Sequence, residues 1–240
     1  MTSLLPYSAV LRLDGPDTVD LLDRIVTCAV ADLETGQTRP GALLTPQGKI
    51  IADFVLARTA TGCTLAVHPS AADTLEKRLK LFRLRADVQI SRDDRDAGII
   101  DDGARIAAGQ PCFGKDFGEA EVFPTDVNLD RFGGVAYSKG CFVGQEVVSR
   151  MYRRGKIRKR TVVLSGSGLE KGDDVRADGK LIGQVTSAGE IHALALLRID
   201  HLAKTRETST DLTVQNQTIK IDPPDWLTEE MTALMADENA

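Results

Sequence analysis

Cys141 lies in a sequence environment that favours thiol chemistry. It stands in the stretch YSKGCFVGQEVVSR, just before a segment whose apolar residues have helical spacing. A helix N-terminus and nearby cations both favour a thiolate, which can attack an electrophile, form a mixed disulfide or hold a soft metal transiently. The alternative, which these physical arguments leave open, is an ordinary loop cysteine beside a solvated helix end.

The residues around Cys141 are compatible with ligand binding. Gly140 and Gly144 leave room for close approach of another backbone or a ligand. Gln145 and Glu146 can hydrogen-bond a polar ligand, or they can brace the loop.

The segment 150–160, which follows Cys141, is strongly basic. It holds seven cations and no acid, although the whole chain has a net charge of −5. Such a segment can bind the phosphates of RNA, the carboxylates of a small anion or an acidic partner protein; the alternative is a solvated linker. It lacks the paired aromatic residues of a surface that stacks bases. The seven cations are Arg150, Arg153, Arg154, Lys156, Arg158, Lys159 and Arg160.

Asp53 is a second candidate, because a carboxylate is unexpected in the strand that contains it. The pattern predicts a strand from Lys49 to Arg58 that is apolar on both faces except at Asp53. A buried carboxylate needs partners or changes its pKa. We therefore expect a basic partner such as Lys49, a ring nitrogen of a ligand, or water. The pattern leaves a structural ion pair and a functional role equally open.

Composition limits the class of protein. With 240 residues, 42% hydrophobic and 27% charged, the chain is typical of soluble globular proteins. It lacks an apolar run long enough for a membrane helix and a signal-peptide pattern at its start. We expect a cytoplasmic protein, monomeric and without a membrane partner. Four cysteines without a C-x-x-C pair, and three histidines, argue against a zinc site, so no metal site is predicted.

The elements that must position these residues form an α+β part followed by an all-β part. Asp17 is a plausible N-cap for a first helix, and Ser70 for a second. Short strands separated by turns after Arg160 predict a small barrel of five or six strands, including a hairpin at ADGK. The predicted domains are an α+β part at 1–157, a β-barrel at 158–224 and an acidic tail at 225–240. The tail is expected to be a short docking helix or a frayed end.

The motif KGCFVGQE, followed by SR and RRG, resembles the signature K-G-C-[FY]-x-G-Q-E of the YgfZ-type folate-binding family. That family is related to the T-protein, the aminomethyltransferase of the glycine cleavage system, and includes a mitochondrial iron–sulfur assembly factor. Further segments are similar in the same order: GPDTVDLLDRIVT, LTPQGKIIADF, RIAAGQPCFGKDF, FPTDVNLDRFGGVAYSKGC and GKLIGQVTSAG.

The resemblance implies a fold and a set of site residues. The implied fold has intertwined α+β lobes around a central channel for tetrahydrofolate, plus a C-terminal antiparallel β-barrel. Asp53 matches the T-protein carboxylate that lies against the folate, so Asp53 and Cys141 are the implied catalytic residues. The chain departs from the T-protein by a shortened region before Arg105, and it has Phe142 where many relatives have a tyrosine. The implied cofactor-binding residues are Asp53, Arg105, Lys139, Gly140, Gln145, Glu146 and Arg150.

Three functions remain as hypotheses. The first is a folate-dependent accessory protein for iron–sulfur cluster assembly or repair, in which Cys141 handles a transient cluster, a persulfide or a one-carbon unit. Its partners would be folate and iron–sulfur client or assembly proteins. The second is an aminomethyltransferase-like, tetrahydrofolate-dependent enzyme in which Asp53 assists proton transfer. The third is an RNA-binding factor in tRNA modification, whose basic segment contacts phosphates.

Overall fold

The computed structural model describes residues 7–93, 102–155, 157–208 and 211–238. Lys156, one of the seven cations of the basic segment, lies outside the described residues. The described chain forms two compact units, each built from separate stretches of sequence. The first unit draws on residues 1–100, 112–124 and 129–149, and the second on residues 101–111, 125–128 and 150–240. The second unit thus includes three stretches upstream of the boundary that the sequence predicts at residue 158, namely residues 101–111, 125–128 and 150–157.

The first unit is a five-stranded antiparallel sheet with helices, as expected for an α+β part. The strand order is β2-β3-β4-β1-β5. The predicted strand that carries Asp53 is β3, and its two neighbours in the sheet are β2 and β4. The elements are β1 (Ala9–Asp14), α1 (Thr18–Ile25), β2 (Thr38–Leu44), β3 (Ile50–Arg58), β4 (Gly62–Val67), α2 (Pro69–Arg83) and β5 (Gln89–Asp93).

The helices of this unit begin close to the predicted positions. Asp17 holds the N-cap position of α1, but its carboxylate accepts the backbone N–H of Asp87 rather than one from the helix. His68, not Ser70, is the N-cap of α2, because Pro69 suits the first helical position and the His68 ring accepts the N–H of Ser70. Leu75 and Leu79 of α2 are fully buried, as their helical spacing predicts.

The second unit contains a closed antiparallel β-barrel of six strands, which confirms the predicted barrel. The hairpin predicted at ADGK joins β7 to β8, with positive φ at Asp178 and Gly179, as its two-residue turn requires. The strands are β6 (Lys159–Ser165), β7 (Asp174–Ala177), β8 (Lys180–Ala188), β9 (His192–Arg198), β10 (Leu212–Val214) and β11 (Gln217–Ile221). The helices are α3 (Asp102–Ala107), α5 (Ile199–Thr208) and α6 (Asp225–Glu238), and α4 (Gln145–Arg153) runs from the first unit into the second.

The acidic C-terminal segment is a docked helix rather than a frayed end. Leu227 and Met231 of α6 are buried in the apolar core of the barrel unit. Glu230 binds the guanidinium of Arg160, which is fully buried, through two hydrogen bonds of 2.9 and 2.7 Å. The guanidinium carbon lies 5.2 Å from the centroid of the Trp226 ring. Packing and charge pairing thus both hold α6 in place.

Two classes of feature are absent from the described residues. None of the helices described here has the length and apolar character needed to cross a membrane. Within the same residues, histidine, cysteine, aspartate and glutamate form no group of three or more that could hold a metal ion.

Candidate functional site

Asp53 is buried in the sheet of the first unit with one identified hydrogen-bond donor. It lies on β3 opposite Ala42 of β2, and only 4% of the residue is exposed. The Tyr7 hydroxyl donates to Oδ2 at 2.5 Å. Among the described residues, Oδ1 has no hydrogen-bond partner. The hydrogen-bond partner of Asp53 is therefore the phenol of Tyr7 and not the expected Lys49. The ammonium of Lys49 donates to the carbonyl of Glu121 at 3.0 Å.

Burial changes the acidity of this carboxyl group. Loss of hydration raises the pKa of Asp53 from 3.8 to about 7, and the nearby carboxylate of Asp116 acts in the same direction. The hydrogen bond from Tyr7 opposes part of this rise. Asp53 therefore exchanges its proton near neutral pH, which is what a general acid or base requires.

Cys141 is the exposed member of the four cysteines. Cys28, Cys63 and Cys112 are fully buried, and burial raises the pKa of the Cys28 thiol to about 12. Cys141 precedes α4, which begins at Gln145, in the position that the sequence predicts. An accessible thiol therefore occurs once in this chain, at the motif.

Lys139 fixes the loop that carries Cys141. Its ammonium group donates to the backbone carbonyls of Asp23, Val26 and Cys28, each at 2.7 Å. Its side chain is only 7% exposed, and its nitrogen lies 3.8 Å from a carboxylate oxygen of Asp23. Because an ammonium group has three N–H donors, all three are used at the end of α1 and the turn after it. The cofactor-binding role expected for Lys139 stays a prediction, and its contacts here are those of an anchor.

The two glycines of the motif differ in their surroundings. Gly144 has φ of +78°, and a Cβ atom there would lie 2.6 Å from the carbonyl oxygen of Thr45. It packs against Gly48 in the turn between β2 and β3, and a Cβ atom at Gly48 would contact Val147 and Val148 of α4. A Cβ atom at Gly140, in contrast, would meet open space. Gly144 is thus required for packing, whereas Gly140 leaves room beside Cys141.

The other expected ligand-binding residues are divided between the two units. Gln145 and Glu146 are in the first turn of α4, and the Gln145 N–H donates to the carbonyl of Phe142. Arg105 is buried in the second unit, where it binds Asp102, the Gln110 carbonyl and the Ser187 hydroxyl. It connects α3 to β8 there. The first unit holds Asp53, Lys139, Gly140, Cys141, Gln145 and Glu146, and the second holds Arg105 and Arg150.

The basic segment is less uniform than its sequence indicates. Arg160 is buried and paired with Glu230, so it does not belong to an exposed cationic surface. This is a correction to the prediction of seven cations acting together. Five of the others are exposed: Arg150, Arg153, Arg154, Arg158 and Lys159.

Comparisons with known proteins agree with the resemblance expected from the motif. Residues 158–229 match the family described as CAF17, C-terminal beta-barrel domain. The chain is 27% identical to "Iron-sulfur cluster assembly factor IBA57 homolog, mitochondrial" of Mycosarcoma maydis, over 67% of this chain and 56% of that protein. It is 24% identical to "tRNA-modifying protein YgfZ" of Vibrio vulnificus, over 75% of this chain and 78% of that protein. It is 33% identical to the human protein "Iron-sulfur cluster assembly factor IBA57, mitochondrial", over 39% of this chain.

A solved structure shows the same fold. The glycine cleavage system aminomethyltransferase T from Bartonella henselae superposes with a TM-score of 0.73 over 90% of this chain and 82% of its own, at 16% identity. The predicted T-protein-like fold and the resemblance to the YgfZ-type family are thereby confirmed. The match covers just over half of the Mycosarcoma maydis protein. Folate binding, the oligomeric state and the cellular compartment stay predictions.

Proposed function

We propose that this protein is a folate-binding accessory factor for iron–sulfur cluster assembly or repair, with Cys141 as its reactive thiol. The observation that carries the proposal is the exposure of Cys141, on an anchored loop, in a chain whose other cysteines are buried. The names of the Mycosarcoma maydis and human relatives, both iron–sulfur cluster assembly factors, support the assignment to this process.

One thiolate cannot hold a cluster alone. Iron–sulfur clusters need four protein ligands as a rule, mostly cysteine thiolates. The described residues offer no group of three or more candidate ligands. Cys141 would therefore act on a cluster or a persulfide jointly with a partner protein that supplies the remaining ligands. Such shared ligation is transient by nature, which suits an assembly or repair factor.

The surroundings of Asp53 fit a folate. Its Oδ1 is buried and lacks a hydrogen-bond partner among the described residues, so an N–H donor of a bound pterin would satisfy it. Asp53 would orient the ring and hold or release a proton at Oδ1 near neutral pH. Tetrahydrofolate, when bound, supplies a carrier for one-carbon units. Lys139 and Arg105 make their contacts within the chain, so the fit rests on Asp53.

A second candidate function is an aminomethyltransferase-like activity. It is favoured by the raised pKa of Asp53, together with the fold shared with the Bartonella henselae enzyme. In that function Asp53 would assist proton transfer, and Cys141 would have no role. Both candidates use Asp53, so they differ in whether Cys141 is indispensable.

Substitution of Cys141 tests the proposed function. In cells that lack the endogenous protein, we expect Cys141→Ala to lose rescue of an iron–sulfur enzyme's activity, while the purified variant keeps the wild-type unfolding midpoint. Ser138→Ala, on the same loop, is the matched control and should rescue fully. Full rescue by Cys141→Ala would refute the thiol role. Loss of rescue by Asp53→Asn while Cys141→Ala still rescues would favour the second candidate.

Two direct binding measurements complete the test. Calorimetric titration of tetrahydrofolate into the wild-type protein examines the folate part of the proposal, and absence of binding would remove it. The name of the Vibrio vulnificus relative points to tRNA. Salt-sensitive RNA binding that is lost when Arg153 and Arg154 are neutralised would favour a nucleic-acid function instead.

A further inference from the structure

The C-terminal end of α2 presents apolar and basic side chains to solvent together. We call this surface the α2 face and define it by Lys77, Arg78, Leu81, Leu84 and Arg85. Leu81 is 67% exposed and Leu84 is 85% exposed. Lys77, Arg78 and Leu81 share one side of α2, because residues three and four apart are neighbours on a helix. We propose that the α2 face binds an acidic, amphipathic segment of a partner protein.

Leu84 holds a backbone conformation that is suited to glycine. It follows α2 with φ of 45° and ψ of −103°, in a turn closed by the Ala86 N–H and the carbonyl of Arg83 at 2.8 Å. These angles resemble the first central position of a type II′ turn, where glycine dominates because side chains are strained there. A leucine at this position is strained and also exposes its apolar surface to water. Neither effect helps the fold, so the side chain points to a role in binding.

A cavity lies beside the α2 face. Its volume is about 460 Å³, and its apolar lining includes Leu21 and Ile25 of α1 together with Phe82 and Leu84. A cavity of this size accepts one or two apolar side chains. Leu81 and Leu84 would then cover the rest of an apolar stripe on the bound segment, in the manner of a helix in a groove.

The charges of the α2 face are not used by the fold. The side chains of Lys77, Arg78 and Arg85 make no hydrogen bond or ion pair with the described part of the chain. Their neighbours are engaged, since Lys80 pairs with Glu76 and Arg83 donates to the carbonyl of Val88. Three unused cations in a chain of net charge −5 form a local positive patch, and an acidic segment complements it.

An acidic protein segment fits better than a membrane or RNA. The cavity lining carries both signs of charge, with the acids Asp17 and Asp20 beside Arg24, Arg83 and Arg85. A single amphipathic segment can place its acids at the cations and its apolar side chains in the cavity, whereas a continuous anionic lipid surface cannot avoid the acids. RNA recognition uses aromatic side chains for stacking, whereas the exposed apolar residues here are leucines. A peptide helix requires both an apolar stripe and opposite charge, and the α2 face offers both.

Leu84→Gly tests the inference, because binding and fold stability should change in different directions. The probe is a fluorescein-labelled helical peptide with leucines at three- and four-residue spacing and glutamates elsewhere; fluorescence anisotropy measures its affinity. We expect Leu84→Gly to keep or raise the urea midpoint of unfolding and to weaken the affinity for the peptide by about tenfold or more. Leu181→Ala, at an exposed leucine of the barrel unit, should leave the affinity unchanged.

Charge reversal provides the second arm. Arg78→Glu with Arg85→Glu should weaken binding by more than the control pair Lys180→Glu with Lys220→Glu, which changes the net charge equally. The inference is overturned if the wild-type protein does not bind the peptide, if Leu84→Gly leaves binding unchanged, or if it destabilises the fold. It is also overturned if Leu84→Gly weakens binding to phosphatidylserine vesicles, binding to poly(U) RNA or self-association, while binding of the peptide does not depend on Leu84.

Discussion

At Asp53, one hydrogen bond from Tyr7 offsets only part of the cost of burying a carboxyl group. The remaining cost appears as a pKa raised to about 7 and as an oxygen without a partner among the described residues. A group that was purely structural would be better matched by its surroundings. At the residue scale, this unmet cost supports the acid–base role that we propose for Asp53.

We predict that Asp53→Asn removes a pH dependence of stability. The folded pKa lies above the unfolded value of 3.8, so the unfolded state releases this proton first as the pH rises. Wild-type stability should therefore fall between pH 3.8 and about 7 and then level off. The free energy of unfolding of the variant relative to the wild type should rise by up to about 1.4 kcal/mol per pH unit in this range, measured by urea unfolding.

Tyr7→Phe is the control for the same site. It removes the donor that lowers the pKa of Asp53, so the fall in stability should extend to higher pH than in the wild type. If Asp53→Asn and the wild type show parallel stability profiles, the carboxyl group does not titrate near neutrality and its proposed acid–base role is lost.

Sequence could identify Asp53 and Cys141 as candidate site residues, but not the residues that contact Asp53 or anchor the loop of Cys141. An acid in an apolar strand and a cysteine in a specific motif are both visible in the local pattern. Tyr7 lies 46 positions from Asp53 and donates a hydrogen bond to it, which no local pattern indicates. Lys139 was expected to hold a ligand, and its three carbonyl partners near residue 26 become visible only in the fold.

At the element scale, α4 is held against the turn between β2 and β3 by two glycines. Gly48 and Gly144 approach closely, backbone to backbone, and Val147 and Val148 of α4 pack at Gly48. This contact joins the stretch LTPQGKIIADF, which leads into the Asp53 strand, to the Cys141 motif. Two stretches that look independent in the sequence are therefore neighbours in the first unit.

Gly144→Ala and Gly140→Ala form a matched pair that tests this contact. A methyl group at Gly144 meets the Thr45 oxygen at 2.6 Å in a left-handed conformation, so we expect a loss of about 2 kcal/mol or more in stability. At Gly140 it meets open space, and the change should stay within about 0.5 kcal/mol. Chemical denaturation of both variants measures the difference, and equal losses would contradict the packing.

Most elements could be predicted because their signals are local. The strand that carries Asp53, the hairpin turn and the barrel follow from alternation and from residues that favour turns. The N-cap of α2 was misplaced by two residues, because Ser70 is a good cap by type while Pro69 takes the first helical position and so makes His68 the N-cap. The α6 helix was left open between docking and fraying, since its burial depends on the barrel core.

At the scale of the whole molecule, the second unit is assembled from distant segments. Arg160 donates to the carbonyl of Thr125 at 2.8 Å, Thr161 donates to that of Asp126, and the Asn128 side chain donates to that of Thr161. A barrel defined from residue 158 onwards would lack the carbonyls of Thr125 and Asp126 and the side-chain donor of Asn128. Sequence could predict the barrel, but it could not predict that residues 125–128 complete it.

We predict that Glu230→Ala strongly destabilises this unit. It leaves the guanidinium of Arg160, which is fully buried, without its carboxylate partner, and breaking such a pair costs about 3 kcal/mol. Glu229→Ala removes an exposed acid from the same helix and should change stability by less than about 0.5 kcal/mol. Thermal unfolding compares them, and similar melting temperatures would show that α6 is held by its apolar residues alone.

Lys139 binds carbonyls at and just after the end of α1 and also anchors the loop of Cys141, so we expect fraying of this helix end and release of the loop to be coupled. Fraying of the helix end withdraws the carbonyls that hold Lys139, and withdrawal of Lys139 leaves those carbonyls without a donor. The proposed partner would then meet Cys141 on a loop that is already anchored two residues away. Deuterium uptake at the end of α1 would then report how firmly the loop of Cys141 is held.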